Sequence, residues 1–217
     1  MNWILLAEGV AFGCSFFVLR KGVQKHFRLF PVILGCIFFC ESLGGYWGKK
    51  YGNNLIIFEL LGLIWPILYL IIYWLELKNP FRKLIIIIFI IIYYSLAISN
   101  FFYDDNAMLI INRSNVIGSI AILFVSINYL WEIANSNERI ELKSHSMFWI
   151  SFAMVIFFFP FAIIMSGFEY FRYLDLPVTQ AYGYLYRVLI KILCNVHYYM
   201  LSYAFLCPFI FSKNKNV

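Results

Sequence analysis

The sequence predicts an all-α, multi-pass transmembrane bundle of seven helices, with its N-terminus outside and its C-terminus inside. Three observations predict it: an apolar composition, seven apolar stretches of spanning length, and a lopsided distribution of Lys and Arg. The chain has 217 residues, of which 63% are hydrophobic and 13% charged. Its mean hydropathy is +0.81. A soluble domain is about 45–50% apolar and ~25% charged, so this chain lacks the polar side chains to cover a surface in water. Lipid is the solvent that tolerates such a surface.

A spanning helix needs ~20 mostly apolar residues, because the hydrocarbon layer is ~30 Å thick and each residue rises ~1.5 Å. Seven such helices leave only short loops, so a single transmembrane domain over residues 1–217 is expected. The apolar segments run from Trp3 to Leu19, Leu29 to Trp47, Asn54 to Trp74, Leu84 to Phe102, Asn115 to Trp131, Met147 to Phe168, and about Tyr184 to Phe211. The fifth carries Ser119, Ser126 and Asn128 and is the least apolar, which leaves six spans open as the alternative. The run Ile85–Ile92 is continuously apolar. A lipid-facing barrel strand would alternate instead, and a helix satisfies its backbone locally inside lipid.

Orientation follows from the loop charges. Arg20, Lys21, Lys25, Arg28, Lys78, Arg82, Lys83, Arg139, Lys143, Lys213 and Lys215 put eleven cations on one side. The other side has four, Lys49, Lys50, Arg113 and Arg172, together with Asp104, Asp105 and Asp175. The positive-inside rule assigns the larger set to the cytoplasm. The same placement accounts for the net charge of +6 without nucleic acid as a partner. Arg20-Lys21 follows the first segment and no positive region precedes it, which suits a first helix rather than a cleaved signal peptide. An integral, multi-pass membrane protein is expected.

Trp3, Trp47, Trp74, Trp131 and Trp149 mark segment ends, where indole rings favour the headgroup layer. Pro66 and Pro160 fall inside segments three and six, where each removes a backbone donor and is expected to kink its helix. Cys14, Cys36, Cys40, Cys194 and Cys207 all lie in apolar stretches and read as small buried residues. Gly9 and Gly13, and the group Gly44, Gly45 and Gly48, are small-residue patches suited to close helix approach or self-association.

Ionisable groups inside a membrane are costly and mark candidate sites. Glu8, Glu41, Glu59 and Lys191 lie at similar depth in the outer half of segments one, two, three and seven, with Arg187 one turn above Lys191. In a simple sequential ring these segments are neighbours. Lys191 or Arg187 is then expected to pair with a carboxylate, because an unpaired buried charge is expensive. Asn195, Tyr199 and Ser202 share a helix face below Lys191, and His197 points roughly the other way. A packing network is the bland reading of this layer; a polar pocket or ion path is the functional one. No second His lies in a span, so no metal site is expected. There is no HExxH, GxSxG or P-loop, and neither catalysis nor a cofactor is expected.

Seven helices in this orientation, with Phe159-Pro160 in the sixth segment and a polar face on the seventh, resemble the microbial-rhodopsin plan. With Asn195 at that family's counter-ion position, Tyr199 falls where its retinal lysine stands, and Lys191 is one turn outward. The resemblance therefore implies the topology without retinal. The segment Leu29–Leu60, with an acidic residue in segment two and an Asn…Glu step opening segment three, resembles small multi-span proteins of Bacteroidetes, which implies a bacterial inner membrane. Size, topology and composition resemble the membrane accessories of bacterial antiviral systems, both type VI-B CRISPR and cyclic-nucleotide types. That likeness implies a non-enzymatic membrane effector that alters permeability or gates ions, with a second copy of the chain as a candidate partner in a homo-oligomer. The alternatives are a ligand sensor signalling to a cytoplasmic partner at the basic loops, or a small-solute transporter.

Overall fold

A computed structural model describes residues 3–20, 25–52, 54–103, 107–136, 141–173 and 180–212. Lys21, Asp104, Asp105, Arg139, Asp175, Lys213 and Lys215 lie outside the described residues, as do the side chains of Lys25, Glu59, Arg113 and Arg172. Seven α-helices follow one another, with no strand among the described residues: α1 (Trp3–Ser15), α2 (Leu29–Tyr51), α3 (Leu55–Glu76), α4 (Pro80–Tyr103), α5 (Ala107–Ala134), α6 (Ser146–Tyr173) and α7 (Gln180–Ser212). The chain is a multi-pass helical membrane bundle.

Five stretches are long and apolar enough to span a bilayer: His26–Tyr51, Pro80–Ile98, Val116–Ala134, Ser146–Gly167 and Arg187–Phe211. Trp3–Leu19 and Leu60–Glu76 are shorter apolar helices. The first of these gains length by changing pitch. After Ser15 it continues as a 3₁₀ turn, Phe16–Leu19, and the tighter winding gives a total rise of about 27 Å. α5 starts at Ala107, eight residues before the expected Asn115, because the apolar run Ala107–Ile111 lets the helix continue through Asn112-Arg113-Ser114. The α2 helix ends at Gly52, whose φ of 76° is left-handed and whose N–H donates to Gly48 O at 3.0 Å. Glycine takes that conformation without a Cβ penalty.

The arrangement is not the expected sequential ring of seven. α1, α2, α3, α5, α6 and α7 close a ring of six, and α3 lies directly against α5. α4 packs outside that ring on α5 and α3 and is the least buried of the five long spans. Its composition explains this position. Leu84, Ile87, Ile88, Ile91, Ile92 and Ile98 are exposed, and a helix apolar on most faces is at home against lipid.

Proline and glycine make the α3–α4–α5 junction. Pro66 lies inside α3 and has no N–H to offer the carbonyl four residues earlier. That carbonyl belongs to Gly62, and the Tyr93 hydroxyl of α4 donates to it. α5 approaches the same place at Gly118, where a Cβ would lie 3.2 Å from the Tyr93 ring and 3.3 Å from the Pro66 ring. Pro208 in α7 repeats the pattern: the Cys207 thiol lies 3.4 Å from Ala204 O, the carbonyl it frees. All five cysteines are free thiols.

The core is continuous and rich in aromatic side chains. Phe30 of α2 meets Phe205 of α7 edge-on at 5.2 Å, and Ile33, Leu34, Leu70 and Leu201 are fully buried around them. Of the tryptophans expected at interfaces, Trp3, Trp47, Trp74 and Trp131 are exposed. Trp149 is not an exposed anchor: it packs edge-on against Tyr203 at 4.9 Å, and its buried Nε1 has no hydrogen-bond partner.

Candidate functional site

The ring forms a half-open cavity of about 410 Å³ in the half of the bundle away from the basic loops. Five helices supply its wall. α1 contributes Ile4 and Glu8, α2 contributes Ile37 and Glu41, and α3 contributes Phe58, Leu61, Gly62, Trp65 and Tyr69. α6 and α7 complete it with Phe157, Phe158, Phe161, Met165, Ile190, Cys194, His197 and Tyr198. Trp65 stacks on Phe158 with ring centroids 5.3 Å apart and planes 13° from parallel. This pair ties α3 to α6 across the cavity.

Two carboxyl side chains stand in the described lining. Glu8 is only 3% exposed, its carboxyl faces the Tyr198 hydroxyl, and its Oε2 has no hydrogen-bond partner. Glu41 stands on the neighbouring helix and lines the same space. His197 is buried too, and its Nδ1 lies 3.2 Å from Ala153 O. A carbonyl only accepts, so Nδ1 carries the proton in this contact and Nε2 of the neutral ring is left as an acceptor. The packing that holds the imidazole comes from Phe157 and Phe158, with ring centroids 4.8 and 6.2 Å away.

The other residues singled out from the sequence go elsewhere. Lys191, Asn195 and Tyr199 line a separate groove on the outer face of α7 with Trp3, Ile4, Ile192 and Val196. Asn195 Nδ2 donates to Lys191 O at 2.6 Å, within its own helix. Arg187 is exposed, and its Nε donates to Gly183 O at 3.2 Å. The expected pairing of Lys191 or Arg187 with a carboxylate is corrected accordingly. Neither cation forms an ion pair with Glu8 or Glu41 among the described residues. For Asn195 and Tyr199 the reason is helical phase: Cys194, His197 and Tyr198 occupy the inward stripe of α7, which turns 195 and 199 outward. Glu59 lies on α3, but its side chain is outside the described residues.

A second polar assembly stands at the basic end, and the sequence reading had not anticipated it. Arg82 Nη1 of α4 lies 2.9 Å from Glu132 Oε2 of α5 and donates to Asn128 O at 3.0 Å. His26 Nε2 lies 2.7 Å from Glu76 Oε1. Glu76, Arg82, Tyr129, Glu132 and His145 line a cavity of about 680 Å³. The signal was present in the sequence, because Glu76 and Glu132 are acidic residues at the ends of apolar segments that face basic loops.

One face of α3 joins the two ends. Trp65 and Tyr69 line the first cavity, and Tyr73 follows one turn on. The Tyr73 hydroxyl donates to Ser151 Oγ of α6 at 3.0 Å and accepts from Ser126 Oγ of α5 at 2.8 Å. Glu76 closes the series at the second cavity.

His145 caps this end. Its Nδ1 accepts the Phe148 N–H at 3.2 Å, in the first turn of α6. Burial lowers its pKa from the usual 6.5, against an opposing pull from Glu76. A lowered histidine pKa means that the unfolded chain binds the proton better, so the stabilisation is complete above about pH 6.5 and declines as pH falls. Protonated Nδ1 cannot accept, so acid is expected to leave the Phe148 amide with the His145 carbonyl alone, at 3.1 Å, at a cost of at most about 0.5–2 kcal/mol. Amide exchange at Phe148 against pH checks this. His145→Asn, which keeps an acceptor without the titration, is expected to flatten the profile.

No family model, curated protein or solved structure matches the chain.

Proposed function

We propose that this chain is a membrane-embedded sensor that binds a small ligand inside the helix ring and passes its occupancy to the basic end. The observation that carries the reading is the cavity lined by Glu8 and Glu41, with Glu8 buried and its Oε2 lacking a hydrogen-bond partner. Buried polar atoms are nearly always satisfied, and an orphan on a cavity wall is the natural contact for a bound molecule. A volume of about 410 Å³ lies within the ~300–1,000 Å³ usual for small-molecule sites.

The relay is α3. A ligand against Trp65 and Tyr69 pushes on the helix that carries Tyr73 and Glu76, whose partners lie on α5, α6 and the His26 turn. The basic loops beside the second cavity are the surface offered to a cytoplasmic partner. Binding is favoured over conduction because fully buried Phe30, Ile33, Leu34, Leu70, Leu201 and Phe205 fill the bundle between the two polar ends.

Leu61→Trp tests the relay without a known ligand, because it places a large side chain in the cavity. Backbone amide exchange of the full chain in nanodiscs is expected to change at residues 77–79 and 141–148. Unchanged exchange there, with altered exchange beside the cavity, would show that occupancy stays local and would overturn the sensor reading.

A further inference from the structure

We propose that the ligand of the ring cavity is an organic monocation, an amine or quaternary ammonium group carried on an apolar body. This rests on the cavity being a binding site, and it follows from three features of the wall. The first is charge. Glu8 and Glu41 line the space from adjacent helices, and no Lys or Arg is among the described lining residues. The cations of α7 that stood closest in sequence, Arg187 and Lys191, are both exposed on its surface. A bound cation would supply the counter-charge that the described wall lacks.

The second feature is the aromatic wall. Phe58, Trp65, Tyr69, Phe157, Phe158 and Phe161 surround the space. Aromatic faces are electron-rich and attract cations within about 6 Å of the ring centroid, and quaternary ammonium groups are commonly held this way. The third feature is the direction of the hydrogen bonds. His197 spends its ring N–H on Ala153 O, which leaves an acceptor on Nε2, and the two carboxylates also accept. A wall that offers acceptors and no cationic donor among its described residues favours a cation over an anion. A bare metal ion is a poorer fit, because no group of three or more His, Cys, Asp or Glu is set to hold one among the described residues.

Cys194 lines the cavity and reports on it within the full chain. In phosphatidylglycerol nanodiscs, which carry no ammonium headgroup, its labelling is followed by mass spectrometry with trimethylammonium-ethyl, sulfonato-ethyl and neutral methyl methanethiosulfonates. The ratio of cationic to anionic labelling rate is expected to fall at least about tenfold in the double variant Glu8→Gln, Glu41→Gln. The membrane's own charge cancels in that comparison, and the pair Glu8→Asp, Glu41→Asp is expected to retain the ratio. An unchanged ratio in the Gln variant overturns the proposal.

Should the variants fail to fold, the wild-type chain decides. Benzyltrimethylammonium is expected to protect Cys194 from the neutral reagent, and its uncharged carbon analogue neopentylbenzene to protect far less. Equal protection, or none from the cation, sinks the monocation and leaves the binding site standing. Resistance of Cys194 to every reagent removes the binding site as well. A soluble amine and a lipid headgroup share this chemistry, and protection by added phosphatidylethanolamine alone would assign the cation to lipid.

Discussion

Tyr73→Ala is expected to lower the stability of the bundle by about 3–5 kcal/mol, the cost of emptying a large aromatic site in a packed core. Tyr73 is fully buried and lies where α3, α5 and α6 meet. Its ring is 6.1 Å from that of Tyr129, edge to face. The substitution removes the ring and also leaves Ser126 and Ser151 without their shared partner. Ser126 can turn its one hydroxyl proton to the Ile122 carbonyl at 2.7 Å, so the orphaned hydroxyl belongs mainly to Ser151. Tyr73→Phe separates the two contributions. It keeps the packing and is expected to cost only about 1 kcal/mol, in line with interhelical hydrogen bonds in membranes. Thermal unfolding of the three proteins in one detergent gives the ordering. A Phe variant as damaged as the Ala variant would mean that the hydroxyl triad, rather than the ring, holds the three helices.

Gly118→Leu is expected to be the second large effect, because the site has no room to yield. A Cβ at Gly118 already meets Tyr93 at 3.2 Å and Pro66 at 3.3 Å. The Pro66 ring is fixed to the α3 backbone, and Tyr93 is held by its bond to Gly62 O. Neither can swing away as the free end of a long side chain would. Gly118→Ala asks the neighbours for a few tenths of an ångström, whereas leucine adds three more carbons to the same gap. Overpacking of this kind costs about 1–3 kcal/mol. The damage is expected to be directional, with α4 released from the ring first. Amide exchange confined to α4 and the adjoining turns of α3 would show it, and uniform loosening of all seven helices would speak against the buttress role of α4.

Much of this architecture was legible in the sequence, for a simple physical reason. Burial in lipid demands long apolar runs and self-satisfied backbones, and both leave an unmistakable linear pattern. The seven helices were read from such runs, including the serine-bearing fifth. The exclusion of α4 from the ring was not readable, because a lipid-facing helix and a buried one are equally apolar. Glu8, Glu41 and His197 were found by their cost, since a polar group in a span stands out. Their separation from Asn195 and Tyr199 depends on which stripe of α7 turns inward, and α7 carries polar residues on both stripes. Tyr93 and Gly118 carried no signal of their own. Their roles exist only because Pro66 leaves the Gly62 carbonyl free and α5 happens to cross there.

Calorimetric titration of benzyltrimethylammonium into the full chain in nanodiscs tests the central claim most directly, because it asks whether the ring cavity is a binding site governed by its two carboxyl groups. The structure predicts saturable binding of one cation per chain that is lost in the folded double variant Glu8→Gln, Glu41→Gln. Non-saturating heats, or equal binding by the double variant, would contradict it.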